Sequence, residues 1–324
     1  MTPKQVTYRN PKPKMAKFTV GDFERMFPDD AACLEWLKNY LYPDGILCQN
    51  CQRVTKHHRV ASRPSYSCDY CGHHVHPTAN TIFHKSPTPL RLWFHAIYLM
   101  ASTRCGISAK QIERETGVTY KTAWRMFRQI RSMLAENDGP LGGKGSHGVE
   151  MDETYYGGLR KGGTGRPGRG DKVKTPVVGI AERKGRVRAL VAADVKGSTL
   201  LGMVKEHILP KTTVFTDELN AYHGISHMNR GYDHKRINHS ERVYVVGDIH
   251  TNTVEGFWSL IKRGIGGVYH AVSRNYLQSY LNEYSFRYNR RFDMKPMFTS
   301  FLHQIEKTAT SEKPVVEPTQ ISVV

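Results

Sequence analysis

The sequence predicts an α/β domain, a mixed set of strands with helices around them, carried behind a small metal-binding head and a helical region. Three observations lead there. Residues 145–305 alternate β-branched runs with helical periodicity, two Cys-x2-Cys doublets lie upstream, and apolar residues at helical spacing fill the stretch between. A chain of 324 residues suits two or three domains, with a sizeable core in the largest.

In chain order, residues 1–17 (MTPKQVTYRNPKPKMAK) and 306–324 lack periodic apolar residues and read as disordered tails, the first of them basic. Residues 18–89 open with a helical pair, FERMF and DDAACLEWLKNYLY, with Asp29 or Asp30 as N-cap. Cys48, Cys51, Cys68 and Cys71 follow, the doublets sixteen residues apart, a spacing that lets two short hairpins present four thiolates to one tetrahedral Zn2+. Gly72 suits the tight turn after the second doublet. His57, His58, His73, His74 and His76 crowd the same segment. Four thiolates already close a structural site, so these histidines read as DNA-facing or incidental, and Cys33 and Cys105 as buried free thiols.

Residues 90–140 read as helices. Leu90, Trp93, Phe94, Ile97 and Met100 or Ala101 keep helical spacing, and SAKQIERETG, a turn at Gly117-Val118 and TYKTAWRMFRQIRSML follow in a helix-turn-helix pattern. Ser108 and Thr119 stand where N-caps belong. The second helix sets Lys121, Arg125, Arg128 and Arg131 outside an apolar stripe of Ala123, Met126, Phe127 and Ile130, which makes them DNA-binding candidates. A plain helical linker with solvated arginines fits the same pattern.

In residues 145–305, GVEMDETYYGG, TPVVGIAER, RVRALVAADV and TTVFTDEL read as strands, with a helix before the last, and helical pattern returns at Asn252–Arg263 and Ser273–Tyr288. Asp152 and Asp217 each end an alternating run and precede a polar turn. Either alone reads equally well as a structural surface acid. Two in equivalent settings, with Glu255 on a downstream helix, point to a site where carboxylates hold hard divalent cations for phosphodiester chemistry. Glu255 has a competing role, because Asn252-x-x-Glu255 is close to a capping box. That helix buries Val254, Phe257, Trp258, Ile261 and Ile265 on one stripe, while Glu255, Ser259 and Lys262 share another, from which Lys262 can reach a phosphate. Glu150, Glu153, Asp194 and Asp248 compete as ligands, Glu150 most seriously because it shares the strand face of Asp152.

With 47 Lys and Arg against 29 Asp and Glu, the formal charge is +18 and the pI near 9.6, a balance that attracts nucleic acid. The N-terminus lacks the apolar core of a signal peptide, and the most apolar stretch, Leu92–Ala101, is too short to cross a bilayer. No membrane partner is expected, and a reducing, cytoplasmic location suits metal-bound thiolates. Residues 157–176, containing LRKGGTGRPGRGDKVKTP, read as a flexible basic arm able to clamp DNA through Arg166 and Arg169, or as a plain loop.

At CQNC with CDYCG, TANTIFHKSPTPLRLWF, VEMDETYYGG, VFTDEL, HTNTVEGFWSLIKRGIGGVYH and YLNEYSFRYNRR, the chain resembles the bacterial insertion-sequence transposases of the DDE type that couple a zinc ribbon to an RNase H-like catalytic domain. The resemblance implies a mixed sheet with helices on both faces. It implies Asp152, Asp217 and Glu255 as ligands of Mg2+ or Mn2+, with Lys262 matching a lysine of the pattern. Some branches carry asparagine at the third site, so Asn252 shares that expectation. The implied reaction frees a 3′-hydroxyl at the transposon end and joins it to target DNA, on a homo-oligomer assembled on double-stranded DNA in the nucleoid. A nuclease without strand transfer and a non-catalytic zinc and helix-turn-helix regulator are the alternatives.

Overall fold

The computed structural model describes residues 15–136, 138–157, 174–236 and 251–305. Both tails and the arm carrying Arg166 and Arg169 therefore fall outside the described residues, the tails but for residues 15–17. By contacts the chain forms two compact units: Thr19–Tyr98 with the segment from Thr299, and Leu99–Phe298 with the segment up to Phe18.

The first unit begins with α1 (Val20–Met26) and α2 (Asp30–Leu41). Thr19 caps α1 through a capping box with Asp22, and of the two aspartates before α2 it is Asp29 that caps, accepting from Ala32 N at 2.8 Å. The short strands β1 (Ile46–Cys48), β2 (Arg53–Thr55), β3 (His57–Val60), β4 (Ser65–Cys68) and β5 (His74–Val75) follow. They form one two-stranded and one three-stranded antiparallel sheet. So small a sheet has little core of its own and leans on α2, where Tyr66 donates to Glu35 at 2.6 Å. Phe23, Phe27, Phe83, Trp93 and Phe94 bury their rings beside the helices.

Chain division falls within α3 (Leu90–Ser102). Next come α4 (Ala109–Thr116) and α5 (Tyr120–Ser132), capped by Ser108 and Thr119, with Gly117 ending α4 at φ +71°. Helix α5 packs against α8 (Arg274–Asn289). Arg131, expected on the DNA-facing side, is buried in that contact: it donates to Glu283 at 2.6 Å, its guanidinium lying between the rings of Phe127 and Tyr280. Arg287 holds the second oxygen of Glu283. Burial alone would raise the Glu283 carboxyl, but Arg131 and Arg287 hold it below the usual carboxylate range. Arg131 is thus removed from the DNA-contacting set, because a buried charge is tolerated only when paired.

The central sheet comprises β6 (Val149–Tyr156), β7 (Thr175–Glu182), β8 (Val187–Val191), β9 (Thr213–Thr216) and β10 (Asp233–Arg236), in the order β10-β9-β6-β7-β8. β6, β7 and β8 form an antiparallel meander, while β9 and β10 add to the other edge of β6 in parallel. Side-chain alternation splits the core in two. Val149, Met151, Val178 and Ile180 pack toward α6 (Gly197–His207) and a 3-10 helix (Asn220–His227). Val177 and Ala181 pack toward α8 and α7 (Asn252–Gly264), whose Val254, Phe257, Trp258 and Ile261 are buried as the spacing predicts. Each such side chain contributes roughly 1.5–3 kcal/mol when fully buried. Helix α9 (Met297–Leu302) closes the described chain. None of the described helices is long and apolar enough to cross a membrane.

Candidate functional site

Asp152 lies on β6 and Asp217 immediately follows β9, so parallel pairing brings both to the same end of the sheet. This is a switch point, since the chain leaves β6 toward β7 on one side and comes back to it as β9 on the other; crevices at such points are where open sheets place their ligand sites. β6 pairs with β9 only through Val149 and Glu150. Beyond that, no strand pairs with this edge of β6 among the described residues, and acids from both of its faces reach one place beside β9.

Carboxylate oxygens of Asp152, Glu153 and Asp217 lie within 4.8 Å of one another there. Trans ligands of an octahedral Mg2+ sit roughly 4.2 Å apart, so a small adjustment lets this donor set, all hard oxygen, hold such a cation. Asp152 is fixed by the Trp258 indole, whose Nε1 donates to Oδ2 at 2.9 Å. Gly179, paired with Asp152 across β7, makes room for that indole: a Cβ there would come 2.5 Å from Trp258 and 2.8 Å from Val254. Glu153 accepts from Tyr222 Oη at 2.7 Å, and Asp217 accepts from Leu219 N at 3.0 Å.

Burial pushes the Asp152 carboxyl up to about 6; the Trp258 bond opposes this, and the charges of Asp217 and Glu255 add to it. Burial likewise raises Glu153 to about 7, against its bond from Tyr222 and reinforced by Asp217 and Asp152. An acid whose folded pKa is raised gives up stability as pH climbs from the unfolded value through the folded one. Melting without divalent metal should therefore show these two groups costing stability between about pH 4 and 7. A divalent cation needs them ionised, so the rise in melting temperature produced by Mg2+ should grow from pH 5 to pH 8. A metal-induced shift that is flat across that range would contradict this electrostatic picture.

The competing acids separate clearly. Glu150 is buried and fully engaged: Thr253 N and Val254 N donate to Oε2 at 2.7 and 3.0 Å, and Thr253 Oγ1 and Arg183 donate to Oε1. It satisfies the exposed amides at the start of α7 and is a structural cap across the sheet. Asp194 accepts from Thr199 and Lys196 N beside α6, and Asp248 lies outside the described residues. The N-cap of α7 is Thr251, with Asn252 already the first helical residue, so the capping box expected from Asn252 is not formed. Glu255 is exposed, accepts from Thr251 Oγ1 at 2.8 Å, and is near enough to Asp152 to raise its carboxyl, although its oxygens fall outside the three-acid cluster. Lys262 is exposed, two turns further along.

The second candidate metal centre is Cys48, Cys51, Cys68 and Cys71, whose sulfurs also lie within 4.8 Å of one another. The Cys48–Cys71 and Cys51–Cys68 separations are 3.6 and 3.9 Å. A tetrahedron with Zn–S bonds of 2.3 Å has edges of about 3.8 Å, so the donor set fits zinc. The two knuckles repeat one turn: Gln52 N donates to Cys48 O and Gly72 N to Cys68 O, with φ of +54° and +69°. The crowding histidines stay outside, His57 on Thr55 O, His58 on Asp69 and His74 on Ser65. Cys33 is buried, its thiol pushed up to about 12 by burial, whereas Cys105, expected buried, is exposed.

A partly buried acidic crevice on a mixed sheet and a four-cysteine cluster are thus carried on one chain, and known proteins combine the same parts. Residues 141–289 match the ISXO2-like transposase domain and residues 28–74 the transposase zinc-ribbon domain. The chain belongs to the insertion-sequence transposases that carry these two domains. It is 28% identical over 283 residues to a Halobacterium salinarum protein described as an uncharacterized protein in transposable element ISH50, covering 81% of this chain and 92% of that one. It is 27% identical over 106 residues to an uncharacterized transposase-like protein of Haemophilus influenzae, 33% of this chain and 83% of that one.

Proposed function

We propose that this transposase binds the ends of its element, cuts phosphodiester bonds there with divalent cations, and joins the freed 3′-hydroxyl to target DNA. The observation that carries the reading is the meeting of Asp152 and Asp217 at the switch point of the sheet, with Glu255 alongside on α7. The order of the strands and the helices on both faces support an RNase H-like reading of the sheet. When bound, Mg2+ or Mn2+ supplies activation of the attacking oxygen and stabilisation of the leaving one. Asp152, Asp217 and Glu255 supply the charge that holds it, Trp258 orients Asp152, and Tyr222 orients Glu153, which joins the ligand set as a fourth acid. Lys262, on the solvent side of α7, binds a DNA phosphate.

Helices α4 and α5, joined through Gly117 to Thr119, act as a helix-turn-helix. Lys121 at the start of α5, with Arg125 and Arg128 further on, faces the element end. Arg166 and Arg169 remain candidates for the DNA-clamping arm. The protein works as a homo-oligomer on nucleoid DNA in the cytoplasm.

The test is metal-dependent cleavage of duplexes carrying the element end. Losing a group one shell removed from a metal typically costs roughly 10–100-fold, so Asp152→Asn and Asp217→Asn should lose more than about a hundredfold while binding DNA normally. Glu255→Gln should behave as they do, and Glu153→Gln should lose less. Parental rates for Glu255→Gln with a collapse for Glu153→Gln would transfer the third place to Glu153.

A further inference from the structure

Beside the zinc ribbon lies an open groove of about 740 Å3, formed by the β3–β4 loop and the segment 76–89. Arg59, Arg63, His76, His84 and Lys85 line it and are exposed, and Asp30 is the only acid among its lining residues. The Asp30 carboxylate is already engaged, accepting from Arg91 N at 2.7 Å. Arg59 is spent on shaping the loop, donating to the carbonyls of Val60 and Arg63. Arg63 and Lys85 keep their charged ends without an acidic partner among the described residues.

The wall that carries Lys85 is rigid. Thr81, Ile82 and Phe83 are buried, and Ser86 Oγ accepts from Trp93 Nε1 at 3.0 Å and from Thr88 N at 3.2 Å. Lys85 itself sits at φ +52°, a conformation lysine rarely adopts and one the surrounding bonds must impose. His84 Nδ1 accepts from Asn80 N at 3.0 Å, which leaves Nε2–H as the outward donor. The aromatic floor, Phe83 and Trp93, is 3% and 0% exposed, so no ring is offered for a base to stack on.

We propose that this groove grips the sugar-phosphate backbone of double-stranded DNA, with Arg63 and Lys85 each neutralising a phosphate. Contacts of this kind carry no base information and hold the duplex for elements that do. The proposal rests on the reading of the protein as a DNA transposase, and it assigns a role to the TANTIFHKSPTPL string, which the acid site leaves unused.

Full-length protein, a labelled duplex of arbitrary sequence and a series of salt concentrations provide the test. Each phosphate contact contributes about 0.9 to the slope of log affinity against log salt, so Arg63→Ala with Lys85→Ala should lower that slope by about two and weaken binding roughly tenfold per residue near 0.1 M salt. The charge-preserving pair Arg63→Lys with Lys85→Arg should keep the parental slope, which separates lost charge from lost folding. An unchanged slope in the alanine pair, or a loss confined to RNA of the same length, overturns the groove assignment. Cleavage surviving in Asp152→Asn alongside a reduced slope in the alanine pair would instead remove the acid site and leave the groove standing.

Discussion

Cys68→Ser should unfold the zinc ribbon while leaving the central sheet folded. The ribbon strands are two to four residues long and bury little beyond Ile46, Cys48, Ser65, Tyr66 and Cys68. Cores of that size do not fold unaided, and structural zinc in comparable modules provides roughly 10–16 kcal/mol of apparent binding energy that is also folding energy. The parent chain, prepared without chelators, should carry about one zinc, as expected for a closed four-thiolate site. Limited proteolysis should then cut Cys68→Ser, or chelated parent, between residues 46 and 76 while the described strands and helices of the central unit resist. A zinc-free parent, or a variant as resistant as the parent across the ribbon, would refute a structural metal.

Glu150→Ala should be among the most damaging single changes in the central unit. The substitution takes a buried carboxylate away from Arg183 and removes the acceptor of Thr253 N and Val254 N in the first turn of α7. Breaking one side of a buried ion pair costs about 3–5 kcal/mol. Urea unfolding in the presence of a chelator should show a loss of that order. The chelator makes the measurement discriminating: a metal ligand would have nothing to lose under those conditions, whereas a helix cap loses everything. Parental stability for Glu150→Ala in chelator would return Glu150 to the list of ligands.

Much of this architecture is legible in the residues. The cysteine doublets encode their own geometry, because knuckle turns are local and a tetrahedron fixes the spacing. Ser108, Thr119 and Gly117 mark helix ends through bonds that reach only three or four residues. The runs up to Asp152 and Asp217 read as strands because their alternation is strong, although β6 continues past Asp152 to Tyr156 where a turn is expected.

Long-range pairing is where the sequence runs out. Arg131 sits beside the apolar stripe of α5 like a solvated arginine, and its partner Glu283 is 152 residues away. Glu150 shares a strand face with Asp152, but its burial under α7 depends on a helix 103 residues downstream. Glu153 points to the opposite face of β6 from Asp152, so alternation argues against the two meeting. They meet because β9 stops pairing after Glu150, a termination that no local pattern in β6 announces. Strand β10, Asp-His-Lys-Arg at the sheet edge, has none of the β-branched character that marks the others.

The most direct measurement follows a labelled duplex bearing the element's own end, incubated with Mg2+ and a supercoiled target plasmid. The parent protein should join label covalently to the plasmid, and Asp152→Asn or Asp217→Asn should join none despite undiminished binding. Cut ends that never join the plasmid would make the protein a nuclease without strand transfer, and joining that persists in Asp152→Asn would place the chemistry outside this crevice altogether.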